Sequence, residues 1–450
     1  MSRSGARLNM ATYLKQTSLA AGKPLSTKVD VPGIVRGVID DIRSQGDAAV
    51  RRYSEKFDKW SPSSFKLSKD DIDAIVSKVP KQTLDDIRVV QQNVRTFALA
   101  QRKYINDFEL EIRPGVHLGQ KNIPISSVGA YIPGGRYPLL ASAHMTIVTA
   151  KAAGVPRVIA CTPPIMGIIP SSTVAAMHYA GADDIYILGG VQAVSAMALG
   201  TETIGKVDFI AGPGNPFVAE AKRQLFGEIG IDLPAGPTEV LIVADEYADP
   251  STVATDLLSQ AEHGPDTPAI LITTSRALGE QVIKEVDRLL EILPTAAIAS
   301  ASWSTFGEVI VVNNLDEAYK LADTYASEHV QILSKSPREA LEKMSHYGAL
   351  FLGEKTCVSY GDKVIGTNHV LPTKGAARFT GGLWVGKYLK TVTYQEVTSE
   401  KESGELGRLC GRAARAENFE GHARSGDVRA MKYMGDKFEW LGGQKNGVHT

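Results

Sequence analysis

From Val128 onward, short β-branched and aliphatic runs alternate with stretches whose apolar positions recur at helical spacing. Residues 157–161, 184–188 and 207–211 read as strands, and 172–180, 191–199 and 216–227 as the helices that follow them. Strands separated by helices of that length indicate parallel βαβ units. After a Gly/Pro-rich break at 234–237 the pattern begins again, with strands at 240–244, 269–273, 309–312 and 349–352. Helices at 252–262, 278–293 and 315–326 lie between these. The expected fold class is therefore α/β, with two Rossmann-like parallel-sheet domains, 108–236 and 237–382.

The stretch up to residue 107 reads as all-helical, with apolar positions at helical spacing over 34–43, 48–57, 69–79 and 82–104. This N-terminal region is expected to pack on the second α/β domain. The tail differs: it is polar and punctuated by glycine, and 397–434 looks helical but too polar to form a core of its own. Residues 383–450 are accordingly expected to be an arm lying on the chain's own body or on a partner subunit.

Composition narrows the class. With 450 residues, 43% of them hydrophobic, there is material for several cores, which excludes a mainly disordered chain. Acidic and basic residues nearly cancel, 50 against 49, and no basic block suggests a nucleic-acid partner. No apolar run approaches the ~18 residues of a membrane span. No secretory leader is visible at the N-terminus. Cys161, Cys357 and Cys410 are too widely spaced for a disulfide framework or a cysteine zinc cluster, so a reducing, cytoplasmic location is expected.

The candidate chemistry lies in a few short segments. Gln260 and His263, in Ser259-Gln-Ala-Glu-His-Gly264, are three apart at a helix end and share one face, near enough to hold one metal ion. Glu328-His329, Gly361-Asp362-Lys363 and residues 417–422 hold polar groups that could complete the site. A glutamine, two histidines and an aspartate form an N/O ligand set suited to Zn²⁺ or a similar cation, although such a Gln/His pair is more often plain helix-end polarity. Tyr131-Ile-Pro-Gly-Gly-Arg136 and Ala211-Gly-Pro-Gly-Asn215 each sit between a strand end and a helix, where glycine lets a ligand approach the backbone. Neither is the G-x-G-x-x-G dinucleotide fingerprint, and tight turns would explain them equally well.

Six ordered blocks carry a resemblance. Val128-Gly-Ala-Tyr-Ile-Pro-Gly-Gly135, Ala211-Gly-Pro-Gly-Asn215, Ala235-Gly-Pro-Thr-Glu-Val240, Gln260-Ala-Glu-His263, Ala326-Ser-Glu-His329 and Gly366-Thr-Asn-His-Val-Leu-Pro-Thr373 resemble the histidinol dehydrogenase family from about residue 34 to 434. The resemblance implies a homodimeric enzyme that oxidises a primary alcohol through an aldehyde to a carboxylate, using two NAD. It implies one Zn²⁺ per subunit, held by Gln260, His263 and Asp362, with His422 coming from the arm of the other subunit. Glu328 and His329 match the acid/base pair, and Tyr131, Gln192 and Asn215 the NAD contacts of the 108–236 domain. Thr238, His369 and Glu417, together with Gln260, His263, His329, Asp362 and His422, match the substrate pocket.

Several positions depart from the histidine-making members. Arg136-Tyr137 and His144 stand where those enzymes carry small or apolar residues, Thr238 where serine is usual, and Lys363 where an aromatic is common; the stretch 374–382 also differs. These features are similar to the sulfopropanediol dehydrogenase branch. They imply a small anionic diol such as 2,3-dihydroxypropane-1-sulfonate as substrate, with Arg136 the first candidate for its head group. L-histidinol is the alternative substrate. A catalytically silent scaffold homologue and a metal-dependent hydrolase are the alternatives from other classes.

Overall fold

The computed structural model describes residues 11–18, 29–134, 138–233 and 236–442. The chain divides into two compact units, residues up to 102 together with 124–388, and residues 103–123 together with the tail from 389.

The first unit holds two sheets. A five-stranded parallel sheet runs Asp184–Ile187, Arg157–Thr162, Ser127–Tyr131, Phe209–Ala211, Gly230–Ile231. Its order reverses between Ser127–Tyr131 and Phe209–Ala211, which makes the carboxyl ends of those strands a ligand-binding crevice by topology alone. The six-stranded sheet runs Thr12–Lys15, Glu308–Val311, Ala269–Thr273, Val240–Ala244, His329–Leu333, Ala349–Leu352. Its last five strands are parallel. Val240–Ala244 and Ala269–Thr273 are buried along their whole length, which is why they read as unbroken apolar runs.

Two expectations for the N-terminal region need correction. It is not all helical, because Thr12–Lys15 pairs antiparallel with Glu308–Val311 as an edge strand. At four residues it was too short for its periodicity to register. Nor does the longest of the helices pack on the second sheet, although Asn93 of helix Lys81–Lys103 donates to the Val364 carbonyl. Val35, Val38, Ile39 and Ile42 of helix Val31–Asp58 are buried in one cluster with Ile159, Leu188, Val194 and Leu225, on the five-stranded sheet and its helices. The reason is steric: Gly190–Leu199 is rich in alanine and small residues, so the apolar stripe of the long helix can approach closely. Gly46 (φ 53°, ψ −133°) breaks Val31–Asp58 into the two helical segments visible in the sequence.

The second unit joins strands Phe108–Arg113, Val116–Pro124 and Leu389–Val397 in one sheet, followed by helices Glu400–Ala416 and Glu420–Met434. The sequence placed residues 108–123 at the start of the first α/β domain, whereas they pair with the tail. Phe108–Arg113 is exposed along its whole length, so no apolar run marked it. The two helices pack through glycine: a Cβ on Gly407 would lie 2.4 Å from the Gly426 carbonyl oxygen. Buried Asp427 accepts from Arg415 Nη2 at 2.5 Å and from Trp440 Nε1 at 2.9 Å. Small residues and this ion pair stand in for the apolar core that the tail lacks. No helix among the described residues is long and apolar enough to cross a membrane.

Candidate active site

The parallel register sets His329 opposite Val240 and Ala349. Glu328, His329, Thr238 and Glu239 therefore meet at the amino edge of the six-stranded sheet. Helix Pro250–Ala261, N-capped by Asp249, carries Gln260 in its last turn, and the short helix Val358–Lys363 carries Asp362. Glu328, His329, Gln260 and Asp362 are all buried.

The contacts tie these groups into one network. Glu328 Oε2 accepts from Thr238 Oγ1 at 2.6 Å and from the Glu239 N–H at 3.0 Å. Thr238 Oγ1 also lies 3.2 Å from Gln260 Oε1, and Gln260 Nε2 donates to Asp362 Oδ2 at 3.1 Å. The His329 ring lies between the two carboxylates, with Nδ1 3.4 Å from Glu328 Oε2 and Nε2 3.3 Å from Asp362 Oδ1. Nδ1 is also 3.1 Å from the Glu239 carbonyl oxygen. A carbonyl only accepts, so the proton sits on Nδ1 and the basic lone pair of the neutral ring is on Nε2. Nε2 is buried and forms no well-aligned hydrogen bond.

Electrostatics separates the roles. Burial raises the Glu328 carboxyl well above the usual carboxylate range, against the pull of His329 and its two hydrogen bonds. Burial opposes charge on His329 too, but Glu328 and Asp362 outweigh it and hold the imidazole above its ordinary value. Asp362 is also disfavoured by burial, yet His329 and Gln260 keep it well below the usual range. The result is one carboxyl poised to take a proton beside one fixed as an anion. Such a split between neighbouring groups is a mark of acid/base chemistry.

The remaining expected residues are distributed as follows. His369 is half-buried and its Nδ1 donates to the Asp362 carbonyl oxygen at 2.9 Å, which joins it to the network and leaves its Nε2 free. His263 is exposed just beyond the end of the Gln260 helix. Glu417 and His422 lie in the second unit, both exposed, with the His422 ring edge-on to Phe419. Arg136 lies outside the described residues. Among the described residues no three His, Cys, Asp or Glu side chains form a metal-holding cluster. Even so, the donors fit a borderline cation, since an anionic carboxylate and an amide sit 3.1 Å apart at a helix carboxyl end, where positive charge is favoured.

The expected NAD contacts lie on the five-stranded sheet, at the carboxyl ends of its strands. Tyr131 ends Ser127–Tyr131, and its hydroxyl accepts from the Gly190 N–H at 3.0 Å. Gln192 is buried in the first turn of Gly190–Leu199, and its Oε1 has no hydrogen-bond partner among the described residues. An orphaned buried acceptor is what a ligand hydroxyl would satisfy. Asn215 caps helix Pro216–Leu225, accepting from the Phe217 and Val218 N–H groups. Gly212 (φ 125°) could not carry a side chain, because its Cβ would lie 2.0 Å from the Tyr131 carbonyl oxygen. Buried Lys222 and Asp232 hold this glycine from both sides: Lys222 Nζ donates to its carbonyl at 2.9 Å, and its N–H donates to Asp232 Oδ2 at 2.8 Å.

Sequence reasoning missed three participants. The Glu239 carbonyl that sets the His329 tautomer is backbone and has no sequence signal. Asp58, at the end of an apparently structural helix, accepts from Gln192 Nε2 at 2.9 Å. Gln91 donates to buried His144 at 3.1 Å, in a π-helical turn, His144–Val148, whose Met145 carbonyl is satisfied by Asn368. The turn is thus fastened to the segment that carries His369.

The sequence model of the histidinol dehydrogenase family matches residues 23–430. A histidinol dehydrogenase homolog from Shouchella clausii is 57% identical over 428 residues, 94% of this chain and all of that protein. The sulfopropanediol 3-dehydrogenase of Ruegeria pomeroyi is 47% identical over 428 residues, 94% of this chain and 97% of its own. The crystal structure of histidinol dehydrogenase from Elizabethkingia anophelis superposes with a TM-score of 0.86 at 35% identity, covering 92% of this chain and 95% of that one. On the family match, the relatives and the shared fold together, the chain belongs to the histidinol dehydrogenase family.

Proposed function

We propose that the chain is a zinc-dependent, NAD-linked dehydrogenase that oxidises a small primary alcohol through the aldehyde to the carboxylate. The observation that carries this reading is the buried Glu328–His329–Asp362 network, with its free imidazole nitrogen and its raised carboxyl. Gln260, His263 and Asp362, with the partner's His422, would hold the zinc. When bound, the metal orients and polarises the alcohol, and two NAD accept the two electron pairs. The exposure of Glu417 and His422 in the glycine-packed tail supports an arm that completes the site of a second copy.

The chain's own residues account for the protons. In its neutral form, which the raised value of His329 places towards alkaline pH, Nε2 takes the hydroxyl proton in the first oxidation, and the Glu239 carbonyl fixes the tautomer able to do so. Glu328 then accepts a proton from the water that adds to the aldehyde carbon, and its buried, raised carboxyl suits that exchange near neutral pH. The second oxidation, of the hydrate, gives the acid. One alcohol and one water thus yield one carboxylate, two reduced cofactors and three protons.

A short anionic diol such as 2,3-dihydroxypropane-1-sulfonate, going to sulfolactate, is the favoured substrate. His144, Thr238 and Lys363, and the likeness to the Ruegeria pomeroyi enzyme, support it. The test is NADH formation by zinc-loaded protein offered each enantiomer of the sulfonate and L-histidinol separately. Two NADH per sulfonate consumed, with histidinol untouched, is the expected result. Turnover of histidinol alone would overturn the substrate assignment, and NAD reduction with none of the three would leave the substrate class wrong.

A further inference from the structure

Asp58 belongs to none of the motifs that mark this family's site, yet it sits at the corner where the glycine turn meets Tyr131 and Gln192. It ends helix Val31–Asp58, and the next residue, Lys59, turns the chain in a left-handed conformation. Two bonds pin that turn: Ser54 Oγ donates to the Trp60 carbonyl at 2.7 Å, and Trp60 Nε1 donates to the Ile187 carbonyl at 3.0 Å. Ile187 is the last residue of its strand, so the carboxylate is fastened beside the strand end that leads into Gly189. Asp58 accepts from Gln192 Nε2 at 2.9 Å and also from the Gly189 N–H. It remains half-buried and keeps lone pairs to spare, since a carboxylate has about four acceptor sites.

Three groups at this corner have capacity left over. Gln192 Oε1 is a buried acceptor without a partner among the described residues. Asp58 is an anionic acceptor with solvent access. The Tyr131 hydroxyl already accepts from Gly190 N–H and so has its own proton to donate. Two acceptors and one donor in one corner complement a vicinal diol, whose hydroxyls can each donate and accept. They repel a phosphate, which has only acceptors and negative charge near neutral pH. Glu328 and His329 make no contact with this corner, so the reacting nicotinamide half of a dinucleotide belongs elsewhere and the adenosine half here.

We infer that Asp58, backed by Gln192, binds the ribose diol of the cofactor's adenosine half and makes the enzyme select NAD over NADP. This rests on the NAD reading above and adds the residue that chooses between the two dinucleotides. Asp58 would accept from the 2′-hydroxyl, and the 2′-phosphate of NADP would place two like charges together in a half-buried site.

The test is direct binding of NAD and of NADP, by calorimetry and without alcohol, to wild type, Asp58→Asn and Asp58→Ser, with folding checked by circular dichroism. Wild type should bind NADP about 100-fold more weakly than NAD, the scale of a lost charge-assisted hydrogen bond plus repulsion. Asp58→Asn should weaken NAD about tenfold and tighten NADP, narrowing the gap at least tenfold. A merely structural Asp58 would weaken both cofactors equally and leave their ratio unmoved, which overturns the inference. Equal affinity of wild type for NAD and NADP overturns it without any variant. Binding of neither dinucleotide to wild type would remove the NAD reading itself, and this inference with it.

Discussion

The two sheets of the first unit present opposite ends to chemistry. The five-stranded sheet offers the carboxyl ends of its strands, where glycine turns, backbone N–H groups and the orphaned Gln192 Oε1 await a ligand. The six-stranded sheet offers its amino edge, where Glu328, His329 and Asp362 crowd together beside the carboxyl end of helix Pro250–Ala261. The difference follows from electrostatics. Carboxyl ends of strands lead into helix amino ends, which suit an anionic, backbone-bound cofactor. An edge at helix carboxyl ends suits cations, whether an imidazolium or a metal ion. One edge can therefore bind while the other moves protons, and neither has to compromise for the other.

Substitutions should affect one edge and spare the other. The largest effect is expected for Glu328→Gln, which keeps the shape but removes the proton acceptor. Turnover should fall about 10³- to 10⁴-fold in steady-state assays, while NAD binding by the glycine edge is unchanged. Loss of NAD affinity in this variant would break the division between the edges. Lys222→Met strands Asp232 as a buried, uncompensated charge beneath Gly212 and should cost roughly 3–5 kcal/mol in chemical denaturation. Unchanged stability would mean the pair does not brace the turn.

A smaller effect concerns the π-helical turn between the edges. Burial, with His369 nearby, lowers the His144 pKa to about 4, against an ordinary value of 6.5. Between those values the unfolded chain binds a proton that the folded chain refuses, so this contribution is absent above pH 6.5 and destabilises as the pH falls towards 4. The total loss is roughly 3 kcal/mol. Urea melts across this range should show a slope that His144→Gln makes shallower, with His263 and His369, shifted the same way, supplying the rest. The smallest effect is on Asn215→Ala, which loses a helix cap and should cost about 1 kcal/mol while leaving the proton chemistry at the other edge intact.

How much of this was legible in the sequence depended on what each residue does. Strands Val240–Ala244 and Ala269–Thr273 were read to the residue because burial on a parallel sheet demands continuous apolar runs, and the half-buried edge strand Ala349–Leu352 because its run is apolar too. Phe108–Arg113 and Leu389–Val397, almost wholly exposed, left no such trace and were missed. Within the site, Gln260 could be found from its helical spacing to His263, and Glu328-His329 from the block that resembles the family. The Glu239 carbonyl could not, since a backbone oxygen is the same in every residue. Asp58 was hidden for another reason: its partners, Gln192 and Gly189, lie some 130 residues away and meet it only through the packing of the N-terminal helix on the first sheet.

The most direct test of the division of labour is a calorimetric titration of NAD into wild type, Glu328→Gln and Gln192→Leu, paired with turnover of the preferred alcohol. The account predicts that Glu328→Gln binds NAD as wild type does but scarcely turns over. It predicts that Gln192→Leu binds NAD poorly and recovers turnover at high NAD. Loss of NAD binding in Glu328→Gln, or a Gln192→Leu enzyme that stays inactive at saturating NAD, would contradict it.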